Sequence, residues 1–270
     1  MKSKKSKHIQ KKKEYSRDTS PGISNSQLTY GISPVIEALS AGNRKIEKIL
    51  IAEGKQHQRI GEIINLAKKK SIRFEKVSRQ NLSRLVERNT NHQGVIAYTS
   101  AASYYNTEKL IAEIIGKENS LSVILDGVED PHNLGAILRS VECVGADGVF
   151  IPERRAVGLT ETVSKSSAGA SEYVKIAKVT NVNHLIDELK ENNIWVVGAS
   201  GDAEMEYTKW DWKQSTALVM GSEGKGVSRL TAEKCDVLVK IPLLGKIESL
   251  NVSVATGVIL YEALRQKTSG

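Results

Sequence analysis

Two apolar periodicities alternate along most of the chain. Residues 58–70 place Ile60, Ile63, Ile64 and Ala67 at helical spacing, whereas 46–52, 72–77 and 94–99 read as short strands. Ser33-Pro34 opens a helix that runs to Leu39, with proline in its first turn, and 79–88 reads as another helix. Residues 28–100 are therefore expected to form a small α/β domain, joined by a connector at 101–119 that holds one short helix. From residue 120 to residue 270 the alternation strengthens. Strands are expected at 123–125, 148–151, 174–177, 194–199, 217–221 and 237–241, and helices at 134–144, 161–168, 182–191 and 250–265. Strands alternating with helices predict a mostly parallel sheet covered on both faces, with ligands bound beyond the carboxyl ends of its strands.

Composition narrows the class. The 270 residues are 40% hydrophobic and 26% charged, as in ordinary globular proteins, and they allow two cores. No apolar run approaches the length of a membrane span. The first residues are basic but lack an apolar stretch, which argues against a secretory signal. Cys143 and Cys235 stand alone, without the spacing of a zinc site, and fit a reducing cytoplasm.

The net charge of +8 is unevenly spread. Residues 1–27 carry eight basic and two acidic side chains (+6), and 28–100 carry thirteen and six (+7). Residues 101–120 carry two and three (−1), and 121–270 sixteen and twenty (−4). A basic first part before a mildly acidic second one suggests polyanion capture by the first, although a solvated surface would look the same. Residues 1–27, rich in Lys and Ser, read as a disordered basic arm.

The glycine-rich segments exclude several chemistries. The run from Gly221 to Ser228 has Val227 and Ser228 where a P-loop requires Lys and Ser or Thr, and it also fails the dinucleotide fingerprint. No nucleophile elbow occurs, and His132 and His184 read as surface or turn residues.

Three segments together resemble one family. The run from Asp126 to Ser140 (DGVEDPHNLGAILRS) is similar to motif 1 of the SpoU/TrmH group of SPOUT methyltransferases. The run from Leu218 to Gly226 (LVMGSEGKG) is similar to motif 2, and Ile241-Pro242-Leu243 with 248–255 (ESLNVSVA) to motif 3. The resemblance implies S-adenosylmethionine-dependent methylation of a ribose 2′-hydroxyl in RNA by a cytoplasmic homodimer. It also implies a deep trefoil knot in the α/β domain of residues 120–270. Residues 28–100, entered by Tyr30-Gly31 and by 34–39 (PVIEAL), resemble the ribosomal-protein-like RNA-binding domain that precedes the catalytic domain in bacterial 23S ribosomal RNA guanosine 2′-O-methyltransferases. Ribosomal RNA is thereby favoured over transfer RNA. The alternatives are a transfer RNA methyltransferase and a non-catalytic RNA-binding or ribosome-assembly protein of the same fold.

By this resemblance the catalytic residues are Asn133, Arg139, Glu223, Ser249 and Asn251, and the cofactor pocket takes Ala199, Gly221, Ile241 and Leu250. Arginine is always protonated, so Arg139 suits phosphate binding and alkoxide stabilisation better than proton abstraction. Gly135 is expected to leave room for its guanidinium. Taken alone, Asn133 and Ser249 each read as a helix N-cap. Gly221 is expected to let an adenine edge approach the backbone. The run 252–257 (VSVATG) is a poor helix by propensity, which suggests close packing against another backbone.

Overall fold

The computed structural model describes residues 26–54, 57–224 and 226–269. Strands β1 (Ser26–Tyr30), β2 (Ile46–Ala52), β3 (Arg73–Val77) and β4 (Val95–Ser100) form a sheet in the order β1-β4-β2-β3. Helices α1 (Ile32–Ala41) and α2 (Ile60–Lys69) bury Val35, Leu39 and Ile63 against Ile49 and Ile51 on one face. Helix α3 (Arg79–Leu85) buries Leu82 against Leu50 and Ile96 on the other. The expected helix 79–88 stops early because Val86 turns to extended backbone. Residues 26 and 27, expected in the basic arm, are instead the first positions of β1, paired with Ser100 and Thr99. A short, half-polar edge strand carries too little alternation to be seen in sequence. The rest of the expected arm lies outside the described residues.

The second sheet runs β7-β6-β5-β10-β8-β11-β9, with every pairing parallel. Its strands are β5 (Leu121–Asp126), β6 (Gly148–Pro152), β7 (Ile176–Val179), β8 (Trp195–Ala199), β9 (Met205–Glu206), β10 (Thr216–Gly221) and β11 (Val237–Lys240). Helices α5 (Pro131–Val144) and α9 (Val252–Thr268) cover Val123, Leu125, Leu218 and Met220. Helices α4 (Thr107–Ile115) and α7 (Val182–Glu191) cover Ile124, Val196 and Val219. Alternate residues of β5 and β10 thus serve opposite cores, which is why these strands read as unbroken apolar runs. Of the short helices, α6 (Glu161–Ser166) packs against α5, and α8 (Arg229–Lys234) against α7. The seventh strand starts two residues later than expected because a 3-10 turn, Ala170–Glu172, follows α6. Among the described residues no helix is long and apolar enough to cross a membrane.

The two sheets are joined through α6 and the turn after it. Leu28 N donates to Glu161 Oε1 (3.0 Å), and Asn43 Nδ2 donates to the Glu172 carbonyl (2.7 Å). Arg44 pairs with Glu172 at 3.1 Å, their side chains only 7% and 3% exposed. Gly169, at φ +95°, has no room for a side chain, since a Cβ would lie 2.6 Å from Glu37. Burial holds the Glu172 carboxyl above its ordinary value of 4.5, and Arg44 offsets this only in part. The pair therefore works as a lock, costly to break from one side.

A carboxyl with a raised folded-state pKa binds more protons folded than unfolded, so stability falls as pH rises through that window. Arg44→Met removes the partner and raises this pKa further. The variant should lose about 3–5 kcal/mol at neutral pH. Thermal melts at pH 5 and pH 7.5 should show the deficit growing with pH; a pH-independent deficit would contradict the role given to Glu172.

Candidate active site

Parallel strands β5, β10, β8 and β11 lie side by side, and their carboxyl ends release the segments that build one site. After β5, Asp130 caps α5 by accepting from His132 N (2.9 Å), with Pro131 in the first turn. The cap is therefore Asp130, and Asn133, expected to cap, sits in the first turn of the helix and is buried. After β10 the chain folds back so tightly that Ser222 and Gly226 exchange both backbone hydrogen bonds (3.0 and 2.9 Å). Asp126 Oδ2 pins the far side of this turn by accepting from Ser228 N (3.0 Å). After β11, residues 241–250 make no hydrogen bond or ion pair among the described residues, and the chain enters α9 at Asn251.

These three segments meet in a closed hydrogen-bond triangle. Asn133 Nδ2 donates to Glu223 Oε2 (3.1 Å). Asn251 Nδ2 donates to Glu223 Oε1 (2.8 Å) and to Asn133 Oδ1 (2.8 Å). At the same time Asn251 Oδ1 caps α9, accepting from Ser253 N (2.9 Å) and Val254 N (3.3 Å). The expected cap Ser249 is displaced by a residue that does two jobs, because only an amide offers both an acceptor and a donor pair. The triangle borders a cleft of about 510 Å³, lined by Asp126, Glu129, Asp130, Asn133, Arg155 and Glu223 among others.

Two glycines have other reasons than those expected. A Cβ on Gly135 would lie 1.9 Å from Ser166 Oγ, so this glycine admits α6, not the Arg139 guanidinium. A Cβ on Gly221 would lie 1.9 Å from the Gly226 carbonyl carbon, so the turn holding Glu223 by itself excludes a side chain there. The small residues of α9 pack against α5 of the same chain.

Arg139 is exposed on α5, without an ion pair among the described residues, and does not line the cleft. Ser249 lies on the exposed loop before α9 and also stands outside it. Ala199 and Gly221 end β8 and β10, Ile241 follows β11, and Leu250 closes the exposed loop. Apolar side chains beside the unpaired backbone groups of 241–250 suit the adenosine of a nucleoside cofactor. Sequence reasoning missed Arg155, a lining cation at left-handed φ (57°). The signal was present: two consecutive arginines just beyond the carboxyl end of a buried strand.

The SpoU rRNA Methylase family model matches residues 120–261, and the model for RNA 2′-O ribose methyltransferase substrate binding matches 28–105. A Bacillus subtilis (strain 168) protein named as a TrmH family tRNA/rRNA methyltransferase, YacO, is 44% identical over 238 residues, 88% of this chain and 94% of that one. Among solved structures, the SpoU methyltransferase AviRb from Streptomyces viridochromogenes in complex with AdoMet superposes with a TM-score of 0.74 at 25% identity, covering 91% of this chain and 92% of that chain. An AdoMet-bound rRNA methyltransferase from Sinorhizobium meliloti gives 0.73 at 26% identity, covering 91% and 89%.

Two variants of Asn251 separate its roles. Asn251→Ala should lose about 1 kcal/mol of stability with the cap. Asn251→Asp keeps the capping oxygen but sets a second carboxylate against Glu223, so it should melt closer to wild type than the alanine variant while still disrupting the triangle. Thermal melts, with the Glu223 side chain followed by carboxyl NMR, check both; equal melting of the two variants would remove the capping role.

Proposed function

The chain belongs to the SpoU rRNA methylase family and is an S-adenosylmethionine-dependent RNA 2′-O-ribose methyltransferase, and from that premise we propose that its substrate is a guanosine of large-subunit ribosomal RNA. The observation that carries the choice is the separate substrate-binding unit at 28–105, which holds the whole +7 charge of residues 28–100. A dedicated basic unit suits capture of a large structured RNA.

The cofactor, when bound, supplies an electrophilic methyl group on a sulfonium. In this reading Ala199, Gly221, Ile241 and Leu250 hold its adenosine, in part through the free backbone groups of 241–250. Glu223, held from two sides by amides, cannot rotate. Together with Asn133 and Asn251 it presents a fixed polar surface that orients the ribose. Ser249 faces the 2′-oxygen from the opposite loop. Arg139 stabilises the developing alkoxide and binds the adjoining phosphate.

The reading includes a homodimer and a trefoil knot at the carboxyl end of the sheet. Support for the dimer comes from a cluster of exposed apolar side chains on the loop before α9 and on α9 itself: Leu244 (100% exposed), Ile247 (75%), Val254 and Tyr261 (both 52%). Patches of this kind mark interfaces. The dimer also gives Arg139 its place, since within one chain it stands outside the cleft.

Transfer of tritiated methyl to large-subunit RNA from a strain lacking this protein, followed by mapping, should locate one 2′-O-methylguanosine. Methylation of transfer RNA alone would overturn the substrate. Arg139→Ala should reduce turnover at least a hundredfold, as expected for removing one oxyanion stabiliser, with cofactor affinity unchanged. If the arginine acts across the dimer, co-purified mixed dimers of Arg139→Ala with Asn251→Ala should recover activity that neither homodimer has. No recovery in a verified mixed dimer would place both residues in one chain's site.

A further inference from the structure

A second cavity of about 340 Å³ lies in the N-terminal unit, lined by Ile32, His57, Ile60, Arg79, Gln93 and Gly94, with Ala52 behind them. Among the described residues no carboxylate lines it. Its rim is completed from the other unit: Lys165 of α6 reaches across, and Lys165 Nζ donates to Gln93 Oε1 (3.0 Å). That same amide oxygen accepts from Ile32 N (2.9 Å), so Gln93 fixes the lysine to the start of α1. The ammonium lies against Gly31, at φ +96°, where a Cβ would lie 2.3 Å from Lys165 Nζ and the lysine would have to shift.

The arrangement is electrostatically unbalanced. Neither Arg79 nor Lys165 has an ion pair among the described residues, although ten such pairs form elsewhere. Burial lowers the pKa of Lys165, and no carboxylate counters the shift. His92, buried beneath the cavity, accepts from Gly94 N through Nδ1 (3.1 Å) and meets Ser83 through Nε2 (3.1 Å). Burial, then Arg79 and Lys165, lower its pKa. Arg79 also opens α3, the helix end at which a cation is electrostatically disfavoured, so helix stability does not account for it. Lys165, partly desolvated, and the exposed Arg79 stand at the cavity without counter-charges among the described residues and give it a positive potential, which an anion would neutralise.

We propose that this cavity binds a phosphate of the RNA backbone, clamped between Arg79 of the substrate-binding unit and Lys165 of the catalytic unit. The proposal rests on the RNA methyltransferase reading and adds where the strand is held. Its geometry links capture to chemistry. Lys165 stands only ten residues beyond Arg155, which lines the catalytic cleft, and Ser166 beside it bonds to the Pro131 carbonyl (3.0 Å) at the start of α5. A phosphate held at Lys165 is thus tied, through α6, to the helix that carries Asn133. The fork of Arg79 suits two phosphate oxygens and the ammonium a third.

The test uses the full chain with large-subunit RNA from a strain lacking this protein, and compares Arg79→Gln, Lys165→Met and a control, Arg73→Ala. The control removes an exposed cation from β3 that is paired with Glu75. Arg79→Gln and Lys165→Met should each weaken RNA binding roughly tenfold and lower the log–log salt slope by about 0.7–0.9, while the control moves neither as far. In methyl transfer they should raise KM for RNA and keep kcat at saturation, with cofactor affinity unchanged. Wild-type RNA affinity and salt slope in both variants, with methyl transfer intact, would overturn the clamp and leave the enzyme assignment standing. Failure of the wild-type chain to bind or methylate any RNA would instead overturn the reading beneath it. Rescue of the charge by Lys165→Arg, with wild-type slope restored, distinguishes loss of a phosphate contact from damage to the join between units.

Discussion

A carboxylate held by two amides ties the ends of three parallel strands together. Glu223 comes from the turn after β10, Asn133 from the helix after β5, and Asn251 from the loop after β11. Every other feature of the site serves this contact. Gly221 is side-chain-free so that the turn can close behind Glu223, and Asp126 braces the turn through Ser228. Gly135 lets α6 press on α5 and fixes the helix from which Asn133 projects. Asn251 spends its oxygen on the helix end and its nitrogen on the site, so the orientation of α9 and that of the carboxylate are set by one side chain. Each of the three side chains is held by the other two, with Asn133 buried at the base, and a polar surface oriented in this way is what positioning a weakly acidic hydroxyl requires.

The second constraint is the join between the two units. The Arg44–Glu172 pair is almost fully buried, and the carboxyl's raised pKa indicates that attraction does not wholly offset desolvation. Such a pair adds little net stability but penalises other arrangements of the two units. With Lys165 threaded past Gly31, it places a basic, RNA-facing unit at a set position relative to the cleft. The charge division then acquires a physical meaning. In the proposed reading the excess of 28–100 supplies attraction, whereas the acidic part at 121–270, whose cleft carries Asp126, Glu129, Asp130 and Glu223, does not attract phosphate over its whole surface.

The alternation of apolar strands and helices determined the α/β class and nearly every element of the parallel sheet, because burial on both faces leaves long apolar runs that no other arrangement uses. The resemblance to the family's motifs also picked out Asn133, Glu223 and Asn251, the members of the triangle. Local sequence could not assign their roles. Asn133 and Ser249 look like caps, yet Asp130 and Asn251 are the caps, because cap choice depends on where the chain enters the helix and this is set by packing. The reasons for Gly135 and Gly221 were likewise invisible, as each answers to atoms that only folding brings near: Ser166 in one case, the returning backbone of Gly226 in the other. Arg139, Arg155 and Lys165 show the same division. Sequence supplies their charge; the tertiary structure alone decided that the first faces outward, the second lines the cleft and the third crosses to another unit, because side-chain direction follows from how α5, α6 and the loop after β6 pack and not from the order of residues along them.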